Sequence, residues 1–499
     1  MRLYIKSSDG RLSFLLKSRN RFPDRKMLFS SLTFLLLFLP FTAVFYFVLP
    51  RAWRNTFLLV MSMFFYAWGE PRFLAVMLLE IATVWAGAAA VGAAAENGSE
   101  RMQNILTALT VCTLVLILAV FKYLDFIIEN IRLITGAKIN PLGIVLPLGI
   151  SFYTFQALSY VIDVRRGNVK AERNIHTVAL YIALFPQLVA GPIIKYHEIS
   201  AELRERETSM SDAADGVRRF IIGLGKKTLI ANPLGEIADL GFSEDPASLA
   251  ALPAWICAFA FTLQLFFDFS GYSDMAIGIG RIFGFHFPEN FRYPFISRTI
   301  SEFWRRWHIS LSTWFRDYLY IPLGGSRKGL TRTILNLGFV FIVTGLWHGP
   351  TWTFVVWGAM NGALVIIERI TGLNRERERP FLVSAALHVY CVLAFTLCFV
   401  VFNSSSIDHA CSYFRAMAGL SPEPALHSLL YFTDIMPTAV MCLAAAMSTP
   451  LFSRLIRPQS DGISAARTAL QDIFLLAVLV LSAASIMSAD YNPFIYFRF

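Results

Sequence analysis

Apolar residues in this chain fall in long runs separated by short polar connections, not in the half-polar helical pattern of a soluble fold. A membrane-crossing helix needs about 20 mostly apolar residues. Runs of that kind occupy residues 28–49, 53–69, 72–95, 104–128, 176–194, 250–280, 333–347, 350–368, 381–402, 430–449 and 469–488. The weaker stretches 142–163 and 217–240 read as broken or partly inserted helices. The pattern predicts an all-α, polytopic transmembrane helical bundle of about 11 spans with re-entrant or interfacial helices. No internal repeat is visible, which counts against a secondary transporter.

Charge then orients the runs. Arg369, Arg375, Arg377 and Arg379 belong on the cytoplasmic side, where basic loop residues concentrate. Residues 381–402 cross outward, the basic-poor loop 403–429 lies outside, and 430–449 return to a loop holding Arg454, Arg457 and Arg467. Residues 469–488 cross outward again, so the tail 489–499 is expected outside. The chain has 499 residues, 56% of them hydrophobic and only 16% charged, which excludes an ordinary soluble protein. Its formal net charge of +10 is accounted for by cytoplasmic loops and implies no nucleic-acid partner. Six cysteines form no CxxC pair and read as small packing residues. Residues 1–26 carry eight Lys or Arg and no helical pattern. They are expected to be a disordered basic arm or to lie upstream of a natural start at Met27, ahead of a transmembrane domain over 27–488.

Three polar stretches interrupt the apolar pattern. In the first, Trp304, Trp307, His308, Leu311, Trp314, Phe315 and Tyr318 recur at helical spacing, predicting one aromatic helical face that carries a histidine. Arg305, Arg306, Arg316 and Asp317 keep that segment at an interface or beside a water-filled cavity; a purely interfacial helix is the competing reading. The second is Trp347-His348-Gly349-Pro350. His348 lies 15 residues beyond Thr333, roughly 22 Å along a helix, at the tip of a hairpin deep in the bilayer. A buried imidazole there is either a proton acceptor or a structural residue bonded at the helix break. The third holds Asp268 and Asp274 in an apolar helix. Asp274 is expected to pair with Arg281, and Asp268 to orient a histidine or to pack as a polar group. Pro147–Gln156 and Gln187 with Gly191-Pro192 suggest a cavity, or kinks with local bonding. His308 and His348 lack a third ligand, so no metal is expected, and no soluble-enzyme motif is present.

The strings FFDFSGYSDMAIG, FRYPFISRTISEFWRRWHISLSTWFRDYLYIPLGGSR and TGLWHGPTWTFVVWG resemble the membrane-bound O-acyltransferase family, nearest its bacterial alginate and peptidoglycan O-acetyltransferase branch. The resemblance runs from about Met27 to Phe499 and supports Met27 as the start. It implies a helical ring around a central funnel in the bacterial inner membrane. His348 would be catalytic, His308 a second active polar residue, and Tyr496 in the aromatic tail a relay for the acyl group. Trp307, Trp347, Asp268 and Asp274 would support them, and Arg305, Arg306 and Arg316 would hold the donor's phosphates. The donor would be acetyl-CoA or another acetyl thioester, with no bound cofactor. The partner would be an extracytoplasmic SGNH-type acetyltransferase that acylates a polysaccharide. A D-alanyl transferase of the same family and a non-enzymatic polysaccharide transporter are the competing functions, and an interfacial anchor is the competing reading of the tail.

Overall fold

The computed structural model describes residues 27–375, 377–422, 435–452 and 465–488. Among them every regular element is helical. A bilayer offers the backbone no water, so each segment satisfies its own N–H and C=O groups. The chain opens with α1 (Leu39–Val48), α2 (Arg51–Gly69), α3 (Leu74–Glu96), α4 (Glu100–Thr135) and α5 (Ile150–Arg166). Of these, α5 is the innermost: almost every residue from Ile150 to Val164 is buried. Its Ser151, Thr154, Gln156 and Ser159 weaken its apolar signal because they face protein, not lipid; Thr154, for one, donates to the buried Glu80 carboxylate at 2.9 Å.

The expected span 176–194 is broken. Helix α6 (Ile175–Ala183) stops, a single turn α7 (Phe185–Leu188) follows, and irregular backbone leads to α8 (Tyr196–Arg204). The loose backbone is buried and bonded inside the protein: Tyr181 Oη donates to the Ile194 carbonyl at 2.8 Å, and the Ile193 N–H to Ser310 Oγ at 3.0 Å. Non-helical backbone at membrane depth is tolerated on that condition.

Helix α9 (Met210–Gly225), a π-helical turn (Lys226–Ala231) and α10 (Asn232–Ser243) lie against the long α11 (Ala251–Ile282). The seam is built on glycine. A Cβ on Gly223 would meet the Gly271 carbonyl at 2.5 Å, and one on Gly216 the Gly278 carbonyl at 2.6 Å. Small residues let helix backbones approach where lipid supplies no hydrophobic drive. This seam overturns the Asp274–Arg281 pairing. Seven residues separate the two by roughly 10 Å along the helix axis. Asp274 instead pairs with Arg219 and Lys226 across the seam, at 2.9 and 2.6 Å. Arg281 pairs with Asp212 and Asp215.

The remaining α-helices among the described residues are α12 (Ile300–Arg306), α13 (Ile309–Phe315), α14 (Gly329–His348), α15 (Trp352–Thr371), α16 (Phe381–Asn403), α17 (Ile407–Met417), α18 (Ile435–Met447) and α19 (Ala465–Ser488). Seven helices among the described residues are long and apolar enough to cross a membrane: those within Pro71–Glu96, Glu100–Thr135, Ala251–Ile282, Gly329–His348, Trp352–Thr371, Phe381–Asn403 and Thr468–Ser488. Phe34–Val48 and Pro437–Met447 are shorter apolar helices. The protein is thus an all-α polytopic membrane protein. Cys257, Cys391 and Cys398 are buried as expected, whereas Cys112, Cys411 and Cys442 are exposed. The basic arm 1–26 and the tail 489–499 with Tyr496 lie outside the described residues.

Candidate active site

His348 is the last residue of α14, and the α14–α15 hairpin sets its place. The two helices touch backbone to backbone. A Cβ on Gly345 would collide with the Phe354 carbonyl, and one on Gly358 with that of Phe341. The imidazole is 7% exposed and walled by rings: Trp357 at 4.8 Å, Trp347 at 4.9 Å and Phe402 at 5.3 Å between centroids. A helix end leaves carbonyls without partners. Here α4 supplies them: Tyr123 Oη donates to the Leu346 carbonyl at 2.8 Å, and the buried Lys122 ammonium to the Trp347 carbonyl and, at 3.1 Å, to Ser151 Oγ.

His308 is placed differently. The aromatic segment is not one continuous helix: it breaks between α12 and α13, and His308 sits at the break with φ 43° and ψ 55°. A left-handed conformation costs a non-glycine residue roughly 1–2 kcal/mol. Asn290 offsets that cost. Its backbone carbonyl accepts the Ile309 N–H at 3.0 Å, and its Oδ1 accepts the Ser310 N–H at 3.2 Å and Ser310 Oγ–H at 2.9 Å. The same Oδ1 lies 3.2 Å from His308 Nδ1, while Nδ2 donates to Ser273 Oγ at 3.1 Å. Before the break, α12 is anchored by the fully buried Glu368, whose carboxylate accepts the N–H groups of Ile300 and Ser301 at 2.6 and 2.8 Å. The break also splits the aromatic face. Trp307 stacks on Phe303 at 5.3 Å and meets Phe291 edge-on at 5.1 Å. His308 packs against Phe269 at 4.6 Å and Phe152 at 6.5 Å.

Trp347 joins the two histidines, its ring 6.1 Å from His308 and 4.9 Å from His348. Four polar atoms here are buried without a hydrogen-bond partner among the described residues: His308 Nε2, His348 Nδ1, Trp347 Nε1 and Trp357 Nε1. Unpaired buried polar groups are costly and rare, so such a cluster suits a bound molecule. The set can exchange a proton at either imidazole and donate two indole N–H groups to an oxygen.

The other expected residues are dispersed. Asp268 pairs with Lys227 at 2.8 Å, both fully buried. Asp274 belongs to the α9–α11 seam. Arg305 and Arg306 line a cavity of about 670 Å³ together with Arg298, Arg375, Arg377 and Arg379. Glu302 and Glu378 also line it, and Glu302 binds Arg306 at 2.9 Å. Arg316 is not part of this lining: it pairs with Asp317 at 2.7 Å, which also holds Lys195 at 2.6 Å. Among the described residues no group of three or more His, Cys, Asp or Glu could hold a metal.

Asn290, Trp357 and Lys122 escaped the sequence reading. Lys122 had a usable signal, a charge inside the apolar run 104–128. Asn290 had none, being a loop residue 18 positions before the histidine it serves.

Known sequences resemble this chain across this whole region. It is 38% identical over 508 aligned positions to the probable alginate O-acetylase AlgI of Azotobacter vinelandii, covering 95% of this chain and all of that protein. The Helicobacter pylori peptidoglycan O-acetyltransferase is 32% identical over 434 positions, 80% of this chain and 81% of that protein. The Bacillus subtilis teichoic acid D-alanyltransferase is 30% identical over 238 positions, 44% of this chain and 58% of that protein. The profile of the MBOAT, membrane-bound O-acyltransferase family matches residues 170–407, which include both histidines and the arginine-lined cavity. The chain belongs to the membrane-bound O-acyltransferase family.

Proposed function

We propose that this protein is an O-acetyltransferase of the bacterial inner membrane that passes an acetyl group from a cytoplasmic thioester, acetyl-CoA or another acetyl thioester, toward an extracytoplasmic polysaccharide such as alginate or peptidoglycan. The observation that carries this reading is the buried pair His308 and His348 around Trp347, with unpartnered nitrogen atoms on all three rings. The arginine-lined cavity suits the donor's phosphates, since guanidinium groups bind phosphate bidentately. Arg305 and Arg306 keep that role, while Arg316, engaged with Asp317, does not contribute to this cavity.

In this reading the acetyl carbonyl enters beside His348. The imidazole either takes the proton of an attacking hydroxyl or itself carries the acetyl group. The indole N–H groups of Trp347 and Trp357, buried without a partner among the described residues, are the proposed donors to the oxyanion. Tyr496 is the proposed hydroxyl on the outer side, and an SGNH-type acetyltransferase the proposed next acceptor. Acetyl transfer is favoured over D-alanyl transfer because the relatives named for O-acetylation align over far more of the chain.

The test is labelled acetate in purified envelope polymer from cells carrying His348→Ala or Tyr496→Phe. His348→Ala should lower incorporation at least ~1,000-fold at unchanged membrane expression, since removal of a catalytic base or nucleophile has effects on the order of that size. Unchanged incorporation removes His348 from the chemistry. Full activity of Tyr496→Phe makes the tail an anchor instead of a relay.

A further inference from the structure

Two buried histidines flank Trp347, and their surroundings differ in one decisive respect. Among the described residues the His348 ring has no hydrogen-bond partner at Nδ1. The His308 ring has one at Nδ1, Asn290 Oδ1. A histidine that takes a proton in acyl transfer is ordinarily held by a third group, which sets its tautomer and aim.

The direction of that bond follows from its neighbours. Asn290 Oδ1 accepts a backbone N–H from Ser310, and a backbone N–H can only donate, so this end of the side chain is the carbonyl oxygen. The other end donates to Ser273 Oγ, which agrees. A carbonyl oxygen facing Nδ1 requires Nδ1 to carry hydrogen. In a neutral imidazole Nε2 is then bare, and it is Nε2 that is buried without a partner. Asn290 further pins the left-handed turn through its own carbonyl and the Ile309 N–H. One residue thus sets the tautomer, the ring direction and the backbone of His308.

We infer that Asn290 is a positioning residue that holds His308 as the Nδ1–H tautomer, and that His308 Nε2 accepts the proton of the attacking hydroxyl. The inference rests on the acetyl-transfer reading and reassigns its proton step. The hydroxyl oxygen bonds to the thioester carbonyl carbon as its proton moves to His308 Nε2. The carbon–sulfur bond then breaks, and the same proton passes from Nε2 to the departing sulfur, restoring the neutral ring. His348 is left on the acyl side of the transfer. The proton that His308 Nε2 takes up is delivered to the departing sulfur and Nδ1–H is held by Asn290, which leaves the oxyanion to the indole donors.

The experiment uses the full chain in detergent micelles with 15N-labelled histidine. The wild-type His308 signals, assigned by their loss in His308→Gln, are expected to show a protonated Nδ1 and a bare Nε2. Asn290→Ala should give a mixture of tautomers and lower kcat for acetyl transfer from acetyl-CoA on the order of 100-fold or more. The KM for acetyl-CoA should stay within about twofold, because uniform binding is untouched. Asn290→Asp keeps an acceptor oxygen and should restore the tautomer and most of kcat. A wild-type His308 protonated at Nε2, or an Asn290→Ala variant with wild-type kcat, overturns the proposal. If Asn290→Ala fails to fold, the wild-type spectrum still decides which tautomer His308 adopts, and the spectrum and kcat of Asn290→Asp test its dependence on this residue. If the folded wild-type protein consumes no acetyl thioester, the acetyl-transfer reading fails, whatever the spectrum shows.

Discussion

The two histidine supports are built in opposite ways. His348 rides on a hairpin whose helices meet through Gly345 and Gly358, with aromatic rings filling the space around it. Its position follows from steric fit. His308 sits on a broken, left-handed turn held by Asn290 and Ser310, just after a short helix anchored by Glu368. Its position follows from hydrogen bonds. A packed hairpin fixes where a ring lies but leaves its nitrogen atoms unassigned. A hydrogen-bonded turn fixes both.

Three perturbations separate these modes. The largest effect is expected from Gly358→Leu, whose side chain would run into the Phe341 carbonyl and hold the hairpin open. Overpacking of this kind costs about 1–3 kcal/mol. Acetyl transfer should vanish and the melting temperature fall, while the His308 tautomer stays as in wild type. Retained turnover would show that hairpin closure does not place His348.

A middle effect is expected from Glu368→Gln. It keeps the shape but removes the charge that accepts the Ile300 and Ser301 N–H groups. Loss of charge-assisted bonds at a buried site costs roughly 1–3 kcal/mol. The melting temperature should drop, with turnover reduced less than in Gly358→Leu. An unchanged melt would mean that α12 is held by its aromatic packing alone.

The smallest effect belongs to Asp317, just beyond α13. Burial would raise its carboxyl, but hydrogen bonds from Arg316 and Lys195 outweigh this and hold it below the ordinary carboxylate value. A folded value below the unfolded one gives stability that is present above the unfolded value, about pH 4, and is lost as pH falls through the folded one. The group is partly exposed, so the contribution is on the order of 1 kcal/mol or less. Asp317→Asn should melt slightly below wild type at neutral pH, and the two should converge in acid. A gap that persists in acid would assign the effect to packing.

The same contrast explains what was legible in the sequence. His348 could be placed from residue counting, because helix rise and bilayer thickness are both known lengths. Helices α3, α4, α11 and α14 to α16 follow from apolar runs for the same reason. His308 was legible as a residue and illegible as a geometry: helical spacing carried the reading straight through the break at Trp307. What breaks the helix there is Asn290, in a loop with no periodicity to read. Asp274 does not pair with Arg281, because seven residues along one helix keep the two apart while the glycine seam brings Arg219 and Lys226 from the neighbouring segment. Residues 176–194 are apolar enough to span, yet Gln187 and Gly191-Pro192 mark the stretch where buried partners on α2 and α13 replace helical bonding.

The Lys227–Asp268 pair has a consequence for how the protein is made. Each residue alone in a lipid-facing helix would cost about 2.5–3.5 kcal/mol on the scale set by the insertion machinery. Together, at 2.8 Å and sealed from solvent, each offsets part of the other's penalty. If the helices on either side of the π-helical turn met lipid ahead of α11, Lys227 would lack this carboxylate. Insertion of the two residues already matched is thus less costly than insertion of either one alone.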